Sequence, residues 1–192
     1  MLKHKKFGLL HIPKTSGSVV KSALEAAVEG VELCGPPHKP VTFQGPVICL
    51  LRHPAAWLRS FRDHHLSNRD ALEGKEAMDI WEGVPLVKEL CKMAEESGPA
   101  IRFVSFAGHY RMASKIWTAY LEGVENAVVG RCEEWPVVVR GVLDSQKIEY
   151  NSDALYVQRQ EQGQTSKAVT LTVDVCNKLR GQDPLAFKLG GY

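Results

Sequence analysis

Apolar and polar positions along the chain form blocks that predict strands and helices in turn. Phe7 to His11 has the length and composition of a short buried strand, and PVICLL, Pro46 to Leu51, is typical of a central parallel strand covered on both faces. Each run is followed by a turn and then by apolar residues at helical spacing, over 18–28 and 55–66. A strand that leads into a helix, twice in succession, predicts an α/β fold.

The remaining segments carry weaker patterns. Residues 101–106 fit either a strand or a helix, whereas Pro136 stands where a helix begins. The other predictions are a second strand over 31–34, two acidic helices within 71–96, a helix over 111–121, a short strand over 127–130, a polar mobile loop over 151–167 and a final helix over 172–180.

Length and composition agree with one soluble domain. A chain of 192 residues is long enough to bury a core, and apolar and charged fractions of 44% and 24% are those of a globular protein. We therefore predict a single domain, residues 1–192, built as a three-layer sandwich around a central parallel sheet. Ligands of such folds bind beyond the carboxyl ends of the strands, where residues 11–18, 52–60 and 130–133 are expected.

The net charge and the lengths of the apolar runs limit the kinds of partner that this chain is expected to bind. A net charge of +2 is too small for non-specific nucleic-acid binding, so an anion site must be a local cluster of Lys and Arg. The N-terminal apolar run, Phe7 to Leu10, is too short for a signal peptide or a membrane span, which predicts a cytoplasmic protein with no membrane partner. The five cysteines are odd in number and lack CxxC spacing, which predicts reduced, mostly buried thiols and neither a zinc site nor a disulfide framework.

The stretch HIPKTSGSV, His11 to Val19, has the composition of an anion-binding loop. A helix N-terminus offers backbone N–H groups and the positive end of a dipole, which together hold phosphate or sulfate. The small residues that supply this geometry, most of them with a hydroxyl donor, are Thr15, Ser16, Gly17 and Ser18. In a Walker-type loop the lysine stands directly before the helix, whereas Lys14 precedes the small residues. The order therefore predicts an anion loop of another type.

A second candidate anion site follows the predicted central strand. The segment LLRHPAAWLRSF puts Arg52 at the end of the strand and Ser60 eight residues later, two turns into the next helix. The guanidinium of Arg52 offers a planar fork of donors to phosphate oxygens, and Ser60 adds a neutral donor. The same segment also fits an ordinary helix start with a surface arginine.

In this order, PKTSGS and RHPAAWLRS resemble the nucleotide-binding motifs of the sulfotransferases that use 3′-phosphoadenosine 5′-phosphosulfate. Many members carry PKTGGT or PKSGTT as the 5′-phosphosulfate loop, and R-[DN]-P with a later serine as the 3′-phosphate motif. The resemblance implies a P-loop NTPase-like sulfotransferase fold, this nucleotide as cofactor and adenosine 3′,5′-bisphosphate as product. It is specific in residues 11–18 and 52–60, and weaker over 108–143 and in the tail FKLGGY.

The resemblance also implies a role for each motif residue. Lys14 would neutralise the bridging oxygen of the leaving nucleotide while the backbone N–H groups of residues 15–18 hold the 5′-phosphate. Arg52 and Ser60 would hold the 3′-phosphate. Lys167, in the loop QTSK, would fold over the same phosphate, although an ordinary solvated loop fits that segment equally well. This arrangement requires no divalent metal.

Transfer to an acceptor hydroxyl or amine benefits from a general base with a pKa near neutrality, which favours histidine or a glutamate of raised pKa. His38 is the candidate, because it follows the predicted second strand in a Pro-rich loop and resembles the base histidine of many family members. Glu32, His64 and His65 are the alternatives.

Two positions depart from the family pattern. His53 stands where Asp or Asn often follows the motif arginine, and Trp57 stands where many carbohydrate sulfotransferases have a second arginine. These departures leave the acceptor class open between a small molecule and a carbohydrate. Arg131 and Glu133, in GRCEE, fit either a contact to the nucleotide or a strand-end ion pair. The tryptophans that fit a core better than a base-stacking role are Trp81, Trp117 and Trp135.

Two other functions stay open on the sequence. A small P-loop kinase would bind Mg-ATP, but the early position of Lys14 and the lack of a late GK[ST] argue against it. A non-catalytic nucleotide-binding module would keep the fold without turnover.

Overall fold

The protein is an α/β protein, and the computed structural model describes residues 1–34, 43–67, 100–156 and 172–192. The elements in chain order are β1 (Leu2–His4), β2 (Phe7–Leu10), α1 (Gly17–Ala27), β3 (Glu32–Leu33), β4 (Val47–Leu51), α2 (Pro54–Ser67), α3 (Ala100–His109), α4 (Met112–Leu121), β5 (Ala127–Arg131), a 3₁₀ turn (Cys132–Glu134), α5 (Trp135–Ser145), α6 (Val173–Gln182) and α7 (Pro184–Gly190). The chain divides into two compact units, the first made of residues 1–52, 120–170 and 191, the second of residues 53–119, 171–190 and 192.

The five strands form one mixed sheet in the order β3-β1-β2-β4-β5. The predicted parallel arrangement is confirmed for β2, β4 and β5. It is wrong for β1, which pairs antiparallel with β2 and with β3. Only Lys5 and Lys6 separate β1 from β2, and so short a link permits a hairpin but no crossover between parallel strands. The sequence did not predict β1, because Lys3 interrupts its short apolar pattern.

Helices α1 and α5 share one apolar core with the sheet in the first unit. Both use residues at helical spacing, and the buried ones are Val20, Ala23, Leu24 and Ala27 of α1 and Trp135, Val139, Val142 and Leu143 of α5. Leu9 and Ile48 contribute to this core from β2 and β4. All residues of β2 and β4 are buried, which confirms that the centre of the sheet is covered on both faces. Trp135 is a core residue, as predicted.

The second unit is helical. Helix α3 packs against α2 and α6, and α7 packs against the same two helices. The predicted apolar side of α2 is confirmed, because Trp57, Leu58 and Phe61 are buried. The ring centroid of Trp57 lies 5.1 Å from that of Phe61 and 5.7 Å from that of Trp117, so Trp117 is the core residue that its position predicted.

Some predicted segments differ from the structure or lie outside the described residues. Residues 101–106 belong to helix α3. The predicted loop over 151–167 begins instead with a helical segment, because Asn151 Oδ1 accepts hydrogen bonds from the amides of Asp153 and Ala154 and so caps it. The acidic helices within 71–96 and the rest of that loop lie outside the described residues. In the described ranges, every helix is too short or too polar to cross a bilayer.

Asp183 is a buried carboxylate that joins two helices of the second unit. It accepts hydrogen bonds from the amide of Ser114 in the first turn of α4, at 3.1 Å, and from the amide of Ala186 in the first turn of α7, at 3.3 Å. We expect Asp183→Ala to lower the free energy of unfolding by about 2 kcal/mol, because two buried donors lose their acceptor. Urea denaturation measures the change.

The control is Asp174→Ala, which removes an exposed carboxylate from the first turn of α6. It should cost at most about 0.5 kcal/mol, since an exposed charge near a helix N-terminus contributes little. Equal losses in the two variants would contradict a capping role for Asp183.

Candidate functional site

Three polar segments leave the sheet side by side in the first unit. In the parallel ladder Leu10 pairs with Cys49, and Leu51 pairs with Arg131. Neighbouring strands lie about 4.8 Å apart. The segments that follow β2, β4 and β5 therefore begin at one edge, and they are the loop 11–16, Arg52 and the turn Cys132–Glu134. The common edge predicted for these segments is confirmed.

The loop before α1 has an unusual backbone. Lys14 and Ser16 have φ angles of 62° and 66°, in the left-handed region that costs a non-glycine residue about 1–2 kcal/mol. The other described non-glycine residues with positive φ are Arg111, which lies between α3 and α4, and Lys147, which lies two residues after α5. The loop before α1 holds two such residues, only two positions apart. Such strain concentrates at functional sites.

The hydroxyl groups of the loop have different roles. Thr15 is buried, and its Oγ1 donates a hydrogen bond to the carbonyl oxygen of Ile12 at 2.7 Å. That bond lies within the loop and uses the hydroxyl of Thr15. The backbone N–H of Thr15 is therefore the group left for the predicted role in ligand binding. Ser16 is the N-cap of α1 but its side chain makes no hydrogen bond to the first turn, and Ser18 is exposed. The first turn of α1 therefore has no cap from the Ser16 side chain and suits an external anion.

His11 packs against Gly17, the first residue of α1. A Cβ atom at position 17 would lie 2.7 Å from Nε2 and 2.8 Å from Cγ of His11, and closer still to Cδ2. The imidazole therefore occupies the space that any larger residue at position 17 would need. This contact explains why the helix begins with glycine.

The Cys132 thiol lies directly after β5, at the sheet edge where the loop and Arg52 begin. It is buried, and burial raises the pKa of Cys132 to about 12, so the thiol stays protonated at neutral pH. Burial is the main cause; the negative charge of Glu133 also acts to raise this pKa, whereas the positive charge of Arg52 and the Ser16 hydroxyl act to lower it. Ser16 and Arg52, one from each sequence motif, both influence this one thiol.

Arg131 is a further cation at this edge. Its guanidinium forms an ion pair with Glu134 at 3.5 Å and donates a hydrogen bond to the carbonyl oxygen of Gly191. The sequence left Arg131 and Glu133 open between a ligand contact and a strand-end ion pair. An ion pair of Arg131 is present, with Glu134 as its acid.

The second unit carries the remaining part of the Arg52 motif. Ser60 is partly buried on α2, and its role as a phosphate donor stays a prediction. The His53 ring makes edge-to-face contacts with Phe187 and Tyr192, at centroid distances of 5.4 and 5.1 Å. Trp57 is a core residue. Both departures from the family pattern therefore have a packing role within this unit.

Several candidate residues cannot be located at the sheet edge. His38 and Lys167 lie outside the described residues, as do Trp81, Cys91 and the side chain of His65. His64 is exposed on α2. Glu32 is exposed on β3, and β1 separates that strand from β2. Glu32 therefore lies two strands away from the strand that leads into the loop.

The sequence placed His11 and Cys132 at this edge, within 11–18 and 130–133, but gave neither residue a role. The available signal for each is its position at or just beyond the end of a predicted strand, at the edge where ligands bind. The contact between Cys132 and Ser16 has no sequence signal, because the two residues are far apart in the chain and meet only through the order of the strands.

Comparisons of the chain with models of known protein families, with curated proteins and with solved structures find no match. Within the described ranges, no group of three or more His, Cys, Asp and Glu residues is arranged to hold a metal ion. Of the cysteines that the structure describes, Cys49 and Cys132 are buried, whereas Cys34 and Cys176 are partly exposed. A functional assignment therefore rests on the motifs and on the geometry of the sheet edge.

Proposed function

We propose that this protein is a sulfotransferase that moves a sulfuryl group from 3′-phosphoadenosine 5′-phosphosulfate to a hydroxyl or amine of a small-molecule or carbohydrate acceptor. One observation carries the proposal: the loop before α1 and Arg52 follow adjacent parallel strands, β2 and β4, at one edge of the sheet. Two separate cationic positions on one edge suit a nucleotide with anionic groups at its 5′ and 3′ positions.

The donor groups of the edge suit oxyanions. The loop offers the backbone N–H groups of the first turn of α1, without a cap from the Ser16 side chain, and the ammonium of Lys14. Arg52 offers a planar fork that matches phosphate oxygens. The left-handed backbone at Lys14 supports the same conclusion, because a strained lysine persists where its position matters for function.

The nucleotide would supply an activated sulfuryl group, and its sulfur–oxygen bond to the bridging oxygen breaks as the acceptor oxygen or nitrogen bonds to sulfur. Lys14 stabilises the negative charge on the departing oxygen, and the N–H groups of residues 15–18 hold the 5′-phosphate. Arg52 holds the 3′-phosphate. Positioning and electrostatics dominate such loose, in-line transfers, so these residues account for most of the rate.

The acceptor proton needs a base. His38 is the proposed one, on the family pattern, with His64 and His65 as alternatives. Glu32 is less suited, because it is exposed on β3 with β1 between that strand and β2.

Isothermal titration with two nucleotides tests the assignment. We expect adenosine 3′,5′-bisphosphate to bind at least about 10-fold more tightly than Mg-ATP, because only the bisphosphate places a phosphate on each cationic position. Tighter binding of Mg-ATP would support the kinase alternative and reject the proposal. Tight binding of the bisphosphate without transfer to a broad panel of acceptors would support the non-catalytic module.

A further inference from the structure

We propose that His11 is a positioning residue of the anion loop, and that its imidazole, packed into the notch left by Gly17, holds the loop in its binding conformation. The inference rests on the proposed function, because it assigns His11 a part in binding the same nucleotide. It adds a residue that neither motif contains.

The His11 ring and the backbone of Gly17 fit closely together. A Cβ atom at position 17 would come within 2.7 Å of His11 Nε2, which is closer than real Cβ atoms approach other heavy atoms. The ring therefore lies directly on the backbone at the start of α1. Since His11 follows β2 directly and Gly17 begins α1, this contact joins the two ends of the loop.

The contact opposes relaxation of a strained backbone. Lys14 and Ser16 both hold the left-handed conformation, which non-glycine residues leave unless the surrounding structure maintains it. The hydrogen bond from Thr15 Oγ1 to the Ile12 carbonyl fixes the middle of the loop. The packing of His11 on Gly17 fixes its ends, and so keeps the first amides of α1 at the edge next to Lys14.

A positioning role for His11 differs from a purely stabilising role in its effect on nucleotide binding. If the ring sets the position of the N–H donors, its removal changes the free energy of nucleotide binding by more than it changes the free energy of unfolding. The steric part of the contact is testable in isolation, because a methyl group at position 17 and the His11 ring compete for one space.

The experiment is a double-mutant cycle with His11→Ala, Gly17→Ala and the double variant, with the affinity for adenosine 3′,5′-bisphosphate measured by titration. We expect losses of about 10-fold for His11→Ala and about 30-fold for Gly17→Ala, since overpacking and lost packing each displace the loop. The double variant should lose no more than about 10-fold, because the methyl group enters the space that the ring has left. Losses that multiply to about 300-fold would overturn the inference.

Gly141→Ala is the matched control, because a Cβ at this helical glycine of α5 meets nothing within 4 Å. It should leave the affinity unchanged. Urea denaturation of each variant separates binding from stability: a His11→Ala variant that unfolds more easily but keeps its affinity would overturn the inference.

Proton NMR of the free protein tells failure of the inference from failure of the proposed function. The imidazole should shift the Hα resonances of Gly17 through its ring current, and the shift should disappear in His11→Ala. If the parent protein binds the bisphosphate but shows no such shift, the contact is absent and the inference fails while the function stands. A parent that shows the shift but binds no bisphosphate rejects the proposed function, and the contact is then a packing feature only.

Discussion

Lys14→Gly should abolish sulfuryl transfer and at the same time make the protein more stable. Lys14 has a φ angle of 62°, so glycine removes the strain of a left-handed lysine and should raise the free energy of unfolding by about 1 kcal/mol. Loss of the ammonium should lower the rate of transfer by at least about 100-fold, the usual cost of removing one group that stabilises a developing oxyanion. Urea denaturation and transfer from a labelled donor measure the two effects.

Two further variants make this result specific. Lys147→Gly removes the same strain at a residue with a φ angle of 50° that follows α5, and it should raise stability without changing transfer. Lys14→Ala should lose transfer to the same extent as Lys14→Gly, without the gain in stability. Transfer at the parent rate in Lys14→Gly would show that the ammonium has no part in the reaction.

Arg52→Ala should weaken binding of adenosine 3′,5′-bisphosphate by about 100-fold and leave binding of adenosine 5′-monophosphate nearly unchanged. The difference arises because only the bisphosphate carries the 3′-phosphate that the guanidinium is proposed to hold with charge-assisted hydrogen bonds. Arg52→Lys should lie between the parent and Arg52→Ala, since an ammonium keeps the charge but lacks the planar fork. Titration calorimetry of each nucleotide measures the effect.

Arg140→Ala is the control for net charge. Arg140 is exposed on α5, where its guanidinium donates a hydrogen bond to Tyr156 Oη at 2.8 Å. Its removal changes the net charge by the same amount and should leave both affinities within about 2-fold, because exposed charges are screened by solvent. An equal loss for both nucleotides in Arg52→Ala would show that Arg52 does not distinguish the 3′-phosphate.

The parts of the fold that the sequence predicted are those with a strong local pattern. The five residues of β4 form an unbroken apolar run, and α1 shows its buried residues at helical spacing. β1 has three residues and no such pattern, and it is a strand because β2 and β3 pair with it. The pattern of residues 101–106 fitted either a strand or a helix. They form part of helix α3, which packs on α2 and α6.

The sequence by itself determined the two segments proposed to bind an anion: the loop with Lys14 and the arginine directly after β4 both follow from short local patterns. The sequence also predicted that they share an edge, but only the tertiary structure decided that β2 and β4 are neighbours, because local patterns do not set the order of the strands. The same holds for the thiol of Cys132 beside Ser16 and for the ring of His11 on Gly17. Side-chain contacts of this kind depend on strand order and on the path of the backbone, and residue type alone determines neither.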